Sequence, residues 1–210
     1  EKSFFNAGDR EAVEVGLRLR EKHGGEVVLL SAGPPRAERS LRACLAMGAD
    51  RTLRLWHPAL EAGEALGKGD ALVVAQLLGQ AIAQEKPDLV LCGSCSQEEG
   101  TGQVPPTLAE LLALPQVTGV VFLELTGPGK ALAHRKLEKG HRLAVECSLP
   151  AVISVLPSIA KPRFPRLSYL LRALREPIPV LEMKAPAVAP QGDGLLRLVS
   201  LGAPRPRPKK

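Results

Sequence analysis

Apolar residues along the first half of the chain fall into short continuous runs, separated by longer stretches with helical spacing. The short runs at residues 26–31, 51–55 and 89–92 are typical of strands that are buried on both faces. The stretches at residues 37–47 and 70–84 carry apolar residues at helical intervals, and a glycine or a proline follows each of them. This alternation predicts the α/β class, with a mostly parallel sheet and helices on both of its faces.

A segment with helical spacing also lies at the very start of the chain, where it opens after Asn6 or Asp9. Either of these short polar side chains is suited to cap a helix, because it accepts a hydrogen bond from a free N–H group of the first turn. Domains of this class usually begin with a strand instead. We therefore expect the first strand to be either missing from this sequence or supplied elsewhere.

The pattern changes after residue 116. Three segments between residues 117 and 148 have the character of strands joined by tight turns, which predicts an antiparallel hairpin region. The run at 151–155 is again fully apolar, whereas prolines recur from residue 177 onward and forbid long elements. We therefore expect an α/β domain over residues 1–180 and an extended, proline-rich arm over residues 181–210. The arm is expected to lie on a partner subunit, and a disordered tail is the alternative.

The stretch from residue 88 to residue 116 combines a short apolar strand, a loop of small and polar residues, and a helix that begins near Val104. This arrangement suits an anion, because free N–H groups and the positive end of the helix dipole face the loop. Three glycines would let a phosphate approach the backbone, namely Gly93, Gly100 and Gly102. The alternative is an ordinary loop that binds nothing, since it matches no standard phosphate motif and contains Glu98 and Glu99.

The composition of the chain excludes some classes of function. The chain of 210 residues is 45% apolar, 24% charged and only 3% aromatic, which is typical of a soluble globular protein with an aliphatic core. The net charge is +6, and much of this excess lies in the last ten residues. Because few aromatic side chains are present to stack on bases, we expect no nucleic-acid partner. No apolar run approaches the roughly 18 residues of a membrane span, so we also expect no span.

The four cysteines lie in scattered apolar segments, which indicates a reducing compartment instead of a disulfide framework. Cys92 and Cys95 form a CxxC pattern that we interpret as a coincidence, with a redox dithiol as the alternative. No second pair and few histidines accompany it, so we expect no metal site. The four histidines lie in loops or on charged strands, and we assign none of them a catalytic role.

Several segments, taken in order, resemble one family. They are NAGDREAVE at 6–14, SLRACLAMGADR at 40–51, TGQV at 101–104 with the helix that follows it, and LPAV at 149–152 with KPR at 161–163. Together they are similar to the small, β subunit of electron transfer flavoproteins, over about residues 5–180. Two departures lie at Ala7 and Gly8, where the family has proline and phenylalanine. Another is the turn Glu138-Lys139-Gly140, where the family has an acidic residue and two glycines.

The resemblance implies an adenine-nucleotide-binding fold of the flavodoxin-like or Rossmann-like type. It also implies a heterodimer with an α subunit that holds most of the redox FAD, while the β subunit buries an AMP. The AMP contacts would fall on the first helix and the first turn, at Asn6, Ala7, Gly8, Asp9 and Ala32. Further contacts would come from the loop, at Gly93, Ser94, Cys95, Ser96, Gln97, Gly100, Thr101, Gly102, Gln103 and Val104.

A second implied site is the loop at 158–163, which resembles the family's docking loop for partner dehydrogenases. Ile159 stands where the family has an apolar anchor, and Lys161 and Arg163 would form its polar rim. The resemblance implies that acyl-CoA or other dehydrogenases, as in fatty acid β-oxidation, deliver electrons and that a quinone oxidoreductase accepts them. The compartment would be the bacterial cytoplasm, or the mitochondrial matrix in a eukaryote.

The flavin would carry the redox chemistry, so we expect an electron carrier with no catalytic acid, base or nucleophile in this chain. One alternative is a flavin-bifurcating relative, in which a second FAD takes the place of AMP. Another is a stand-alone ATP- or AMP-binding module of the stress-response type. A scaffold with an empty pocket is the third.

Overall fold

A computed structural model of the protein describes residues 6–57, 71–96 and 100–184. These ranges do not include the predicted loop after His57 or the site residue Gln97. They also exclude the arm beyond Lys184. The described helices are α1 (Ala7–His23), α2 (Glu38–Met47), α3 (Ala71–Glu85), α4 (Val104–Leu111) and α5 (Leu167–Arg175). The described strands are β1 (Val28–Ala32), β2 (Arg51–Trp56), β3 (Leu89–Gly93), β4 (Gln116–Gly127), β5 (Lys130–Lys136), β6 (Arg142–Ser148), β7 (Ala151–Val155) and β8 (Val180–Glu182).

The strands form two sheets. A three-stranded sheet has the order β1-β2-β8 and is entirely parallel. A five-stranded sheet has the order β3-β7-β4-β5-β6, in which β3, β7 and β4 are parallel and β5 and β6 add an antiparallel extension. The predicted α/β class, parallel pairing and antiparallel hairpin region are therefore confirmed. The pattern of apolar runs did not show that the strands divide between two sheets.

Burial follows the position of each strand in its sheet. All five residues of β7, which lies between β3 and β4 in the larger sheet, are buried. The residues of β1 and most of those of β3 are only half-buried, although their apolar runs predicted burial on both faces. Among the described residues, β1 and β3 are edge strands, so a flank of each remains open to solvent.

The core is aliphatic, as the low aromatic content predicted. One cluster packs against the larger sheet and includes Val117, Val120, Ile153 and Val155. A second lies between β2 and α3, and Met183 contributes to it just after β8. Because the Met183 N–H also donates to the Trp56 carbonyl oxygen at 2.8 Å, the first residues of the predicted arm are part of the folded sheet.

Local sequence explains where the helices stop and how they pack. The α2 helix ends at Gly48, whose φ of 115° is disfavoured for residues with a side chain. A Cβ atom at this position would also lie 3.2 Å from the Tyr169 ring of α5. Glycine therefore both terminates α2 and leaves room for α5, which packs on α2 through Ala173 against Leu45 and Ala46.

Candidate functional site

The N-terminus of α1 lies directly against the carboxyl end of β3. The Gly93 N–H donates to Asp9 Oδ1 at 2.9 Å, across 84 positions of sequence. Asn6 Nδ2 donates to Asp9 Oδ2 at 3.1 Å and to the Cys95 carbonyl oxygen at 2.9 Å. The structure thus brings together the two segments in which the sequence placed most of the nucleotide contacts.

Glycine at position 93 makes this close approach possible. A Cβ atom there would lie 2.5 Å from Asp9 Oδ1, 2.8 Å from the Asp9 nitrogen and 2.9 Å from the Gly8 carbonyl carbon. Real Cβ atoms essentially never lie within 3.0 Å of such neighbours, and two of the three atoms are backbone. Any larger residue would therefore have to move α1 away from β3.

The surroundings of Asp9 have two opposing effects on the pKa of its carboxyl group. The residue as a whole is exposed, but its carboxyl group faces the end of β3 and is partly desolvated by the surrounding atoms. This desolvation raises the pKa of Asp9, while hydrogen bonds from Gly93 and Asn6 act in the opposite direction. Asp9 therefore orders the start of the loop and is less readily ionised than a fully solvated aspartate.

Two glycines with positive φ angles shape the backbone of the loop after β3. Gly100 and Gly102 both have a φ of 64°, and the Gly100 N–H donates to the Ser96 carbonyl oxygen at 3.1 Å. A Cβ atom at Gly102 would lie 3.0 Å from the Ser94 carbonyl oxygen. Thr101 and Gln103 are exposed to solvent, and Val104 begins α4. Gly100 and Gly102 therefore lie close to the backbone of Ser96 and Ser94.

The start of α4 offers fewer backbone donors than the sequence suggested. Its first three residues are Val104, Pro105 and Pro106, so only one of them has an N–H group. Gln103, the residue before the helix, makes no side-chain cap. The helix dipole still favours an anion, but other groups must supply most of the hydrogen bonds.

An open cleft of about 520 Å³ adjoins this loop. One side is formed by Ser94, Gly102 and Pro106, and the other by residues of β4, β5, β6 and β7. Ala32, the remaining predicted contact, ends β1 in the other sheet and packs near Leu55 and Leu77. Of the predicted contacts in the described part of the chain, Ser94 and Gly102 line this cleft. Asn6 and Asp9 contact Gly93 and Cys95 instead of lining the cleft, and Ala32 belongs to a different cluster.

Hydrogen bonds and ion pairs hold loop 158–163 against α1. The Ser158 N–H donates to Glu11 Oε2 at 2.6 Å. Arg163 donates from its backbone N–H and from Nε to Glu14 Oε2, at 3.1 and 2.9 Å, and its guanidinium also pairs with Glu21. The charge of Arg163 is thus matched within the chain, whereas Lys161 is exposed.

The apolar residues of this loop differ in exposure. Ile159, the predicted anchor, is half-buried against the core of the larger sheet and lines a groove of about 290 Å³ between α1 and β4. Phe164 is 85% exposed, and Leu167 and Leu174 of α5 are 71% and 65% exposed. Sequence reasoning did not select Phe164 as a docking residue. The signal that could have identified it is a phenylalanine placed between Arg163 and Pro165 in a loop rich in basic residues.

All four cysteines lie within the described residues. All four are free thiols. Burial is the main cause that raises the pKa of the Cys92 thiol to about 12, and Asp9 adds to this shift. Such a thiol does not form a thiolate readily, which favours the interpretation of the CxxC pattern as a coincidence.

Two negative findings apply to the part of the chain that the structure describes. There, no group of three or more histidine, cysteine, aspartate or glutamate side chains is placed to hold a metal ion. None of the described helices combines the length and the apolar character that crossing a membrane requires.

Comparison with known proteins points to one family. The family model of the electron transfer flavoprotein domain matches residues 1–187. A protein named electron transfer flavoprotein subunit beta from Thermoanaerobacterium thermosaccharolyticum is 36% identical over 171 residues, covering 81% of this chain and 63% of that protein. Its namesake from Bacillus subtilis is 33% identical over 180 residues, covering 86% of this chain and 67% of that protein.

A further relative carries a different name. The caffeyl-CoA reductase-Etf complex subunit CarD of Acetobacterium woodii is 31% identical over 195 residues, covering 92% of this chain and 71% of that protein. The chain spans about two thirds of the length of the first relatives that it matches. The similarity therefore covers most of this chain, but only part of each relative.

Proposed function

Because the chain belongs to the electron transfer flavoprotein family, we propose that it acts as the β subunit of a heterodimer that carries electrons on a flavin. In this proposal the α subunit holds most of the FAD and this chain packs over it. The chain itself would supply binding surfaces and no catalytic group, since the flavin carries the chemistry when bound.

The nucleotide part of the proposal is an AMP held at the loop between β3 and α4. The observation that carries it is the contact between the N-terminus of α1 and the end of β3, where Asn6 and Asp9 meet Gly93 and Cys95. These bonds give the loop a defined shape, and the positively polarised start of α4 faces the same region. Supporting contacts are proposed from Ala7, Gly8, Ala32, Ser94, Ser96, Gln97, Gly100, Thr101, Gly102, Gln103 and Val104.

The partner part of the proposal concerns loop 158–163. We propose that Ile159 anchors a donor dehydrogenase, such as an acyl-CoA dehydrogenase of fatty acid β-oxidation, with Lys161 and Arg163 at the rim. The exposed Phe164 extends this apolar surface. A quinone oxidoreductase is the proposed acceptor, and the bacterial relatives make the cytoplasm the proposed compartment.

A flavin-bifurcating function is the second candidate. It is favoured by the similarity to a subunit of a caffeyl-CoA reductase-Etf complex and by the cleft of about 520 Å³ beside the loop, which has room for a larger ligand than AMP. In this function a second FAD would occupy the site. A stand-alone nucleotide-binding module has no comparable observation in its favour.

Mass spectrometry separates these candidates. The chain is co-expressed with the proposed α subunit, and the mass of the complex is measured first under native and then under denaturing conditions. We expect one AMP and one FAD per heterodimer. Two FAD molecules would establish the bifurcating alternative, and a lone chain that retains ATP would contradict the proposed function.

A further inference from the structure

The cleft beside the nucleotide loop has a wall that the sequence did not reveal. Opposite Ser94 and Gly102, it is lined by Thr118 of β4, Arg135 of β5 and Ser154 of β7. These three residues come from three neighbouring strands of the larger sheet. They carry a guanidinium and two hydroxyl groups, all of which can donate hydrogen bonds.

Ser154 contributes a buried hydroxyl group to this wall. Its side chain is in a residue that is only 2% exposed, and its Oγ accepts a hydrogen bond from the Gly119 N–H at 3.2 Å. A serine hydroxyl that accepts one hydrogen bond can still donate another, so Ser154 has a donor to offer to a ligand. An acceptor atom on a ligand in the cleft would match this donor.

Arg135 adds positive charge to the same wall. It is exposed, and no other described residue forms an ion pair or a hydrogen bond with its side chain. No carboxylate is among the described residues that line the cleft. The lining thus favours an anion, because a guanidinium forms strong charge-assisted hydrogen bonds with phosphate oxygens.

The start of α4 explains why side-chain donors are needed here. Pro105 and Pro106 remove two N–H groups from the first turn, and Pro106 itself lines the cleft. A phosphate at this helix start receives the favourable dipole but few amide hydrogen bonds. Donors on the opposite wall can replace those that the prolines lack.

We propose that Arg135, with Ser154 and Thr118, forms an anion-binding wall that holds a phosphate group in the cleft. This inference rests on the proposed function, which places an adenine nucleotide at the adjoining loop. The phosphate is then clamped between the start of α4 and Arg135. The same chemistry would accept the phosphate of a bound nucleotide or free phosphate, and the test distinguishes these sources.

The test measures nucleotide affinity in the complex purified with its partner subunit, after removal of the resident nucleotide. Wild-type and Arg135→Gln complexes are titrated with AMP, ADP, adenosine and inorganic phosphate in a calorimeter. Lys136→Gln is the matched control, because it removes the same charge one residue further along β5, where side chains point to the other face. Arg135→Lys tests whether a positive charge alone suffices.

We expect Arg135→Gln to raise the Kd for AMP and ADP about tenfold or more, as loss of a charge-assisted hydrogen bond does. The Kd for adenosine should stay unchanged, and Lys136→Gln should change neither value. Unchanged AMP affinity in Arg135→Gln would overturn the inference. An equal loss for adenosine would also overturn it, since Arg135 would then act on the fold instead of the phosphate.

The outcome for inorganic phosphate separates this inference from the proposed function. If the wild-type complex binds neither AMP nor adenosine, the proposed adenine-nucleotide site fails. The cleft is then judged by phosphate alone, because binding that is lost in Arg135→Gln supports the anion wall. Phosphate binding that is absent, or equal in both proteins, overturns it.

Discussion

Glu14 shows how one residue can organise a surface far from it in sequence. It is buried, with only 2% of its surface exposed, yet it carries a carboxylate on the face of α1. Its Oε1 accepts from Arg18 Nε at 2.7 Å, and its Oε2 accepts from the Arg163 backbone N–H and Nε. Both oxygens are therefore paired, and the pairing fixes the end of the proposed docking loop.

The pKa of Glu14 determines how the stability contributed by this contact depends on pH. Burial alone would raise the pKa, but the hydrogen bonds from Arg163 and Arg18 together outweigh it and lower the pKa from its ordinary value of 4.5. A depressed pKa means that the folded state favours the ionised carboxylate. The stabilisation is therefore complete above the ordinary pKa and is lost as the pH falls through the lower pKa of the folded state.

We predict that Glu14→Gln lowers the free energy of unfolding at pH 7 by about 1–3 kcal/mol, because a charged hydrogen-bond acceptor is lost at a buried site. Urea unfolding of both proteins checks this value. The difference between them should shrink as the pH is lowered from about 5 to about 3. Glu21→Gln is the control, and its effect should be smaller because Glu21 lies in a solvated pair. A difference that does not change with pH would contradict the assignment.

At the scale of elements, the proposed docking surface combines two kinds of apolar residue. Ile159 is half-buried and packs on the core, so its truncation removes contacts within the chain as well as any contact with a partner. Phe164 is 85% exposed and follows directly on Arg163, which Glu14 and Glu21 hold in place. Phe164 therefore offers the cleaner test of docking.

We predict that Phe164→Ala slows electron transfer from an acyl-CoA dehydrogenase about tenfold at subsaturating concentrations, because a large exposed side chain is lost from the interface. The Tm and the flavin absorption spectrum should not change. Ile159→Ala should slow transfer too, but with a lower Tm. Stopped-flow reduction of the flavin measures the rate, and Leu137→Ala, an exposed leucine on the hairpin, is the control. Unchanged rates in both loop variants would remove this surface from the proposal.

At the scale of the whole molecule, the boundary between the domain and the arm falls within a folded strand. Residues Val180–Glu182 form β8 and pair in parallel with β2. The Lys184 N–H donates to Gln80 Oε1 at 3.1 Å, so the chain is held to α3 up to that point. A truncation that tests the arm should therefore keep residues up to 184.

We predict that deleting residues 185–210 weakens the heterodimer without unfolding this chain, if the arm lies on the α subunit as the sequence analysis expects. Analytical ultracentrifugation of wild-type and truncated complexes over a dilution series measures the dissociation. Deleting residues 180–210 is the comparison, and it should also lower the Tm of this chain because β8 and Met183 are lost. An unchanged Kd after the shorter deletion would show that the arm does not hold the partner.

Some features could be predicted from the sequence because their causes are local. The bounds of β7, of β6 and of the start of α4 follow from apolar runs, from alternation and from two prolines at a helix start. The glycine loop after β3 could be located for the same reason. Its backbone needs a φ of 64° at Gly100 and Gly102, and glycine adopts this value without strain.

Other features depend on pairing between distant segments, which no local pattern encodes. The hydrogen bond from Gly93 to Asp9 exists only because α1 packs on β3, and Arg135 and Ser154 reach the cleft only because β5, β4 and β7 are neighbours. The sequence by itself determined the helices, the strands other than β8, the loop and the family. Only the tertiary structure decided which side chains face that loop, because strand order and helix packing set distances between residues that are far apart along the chain.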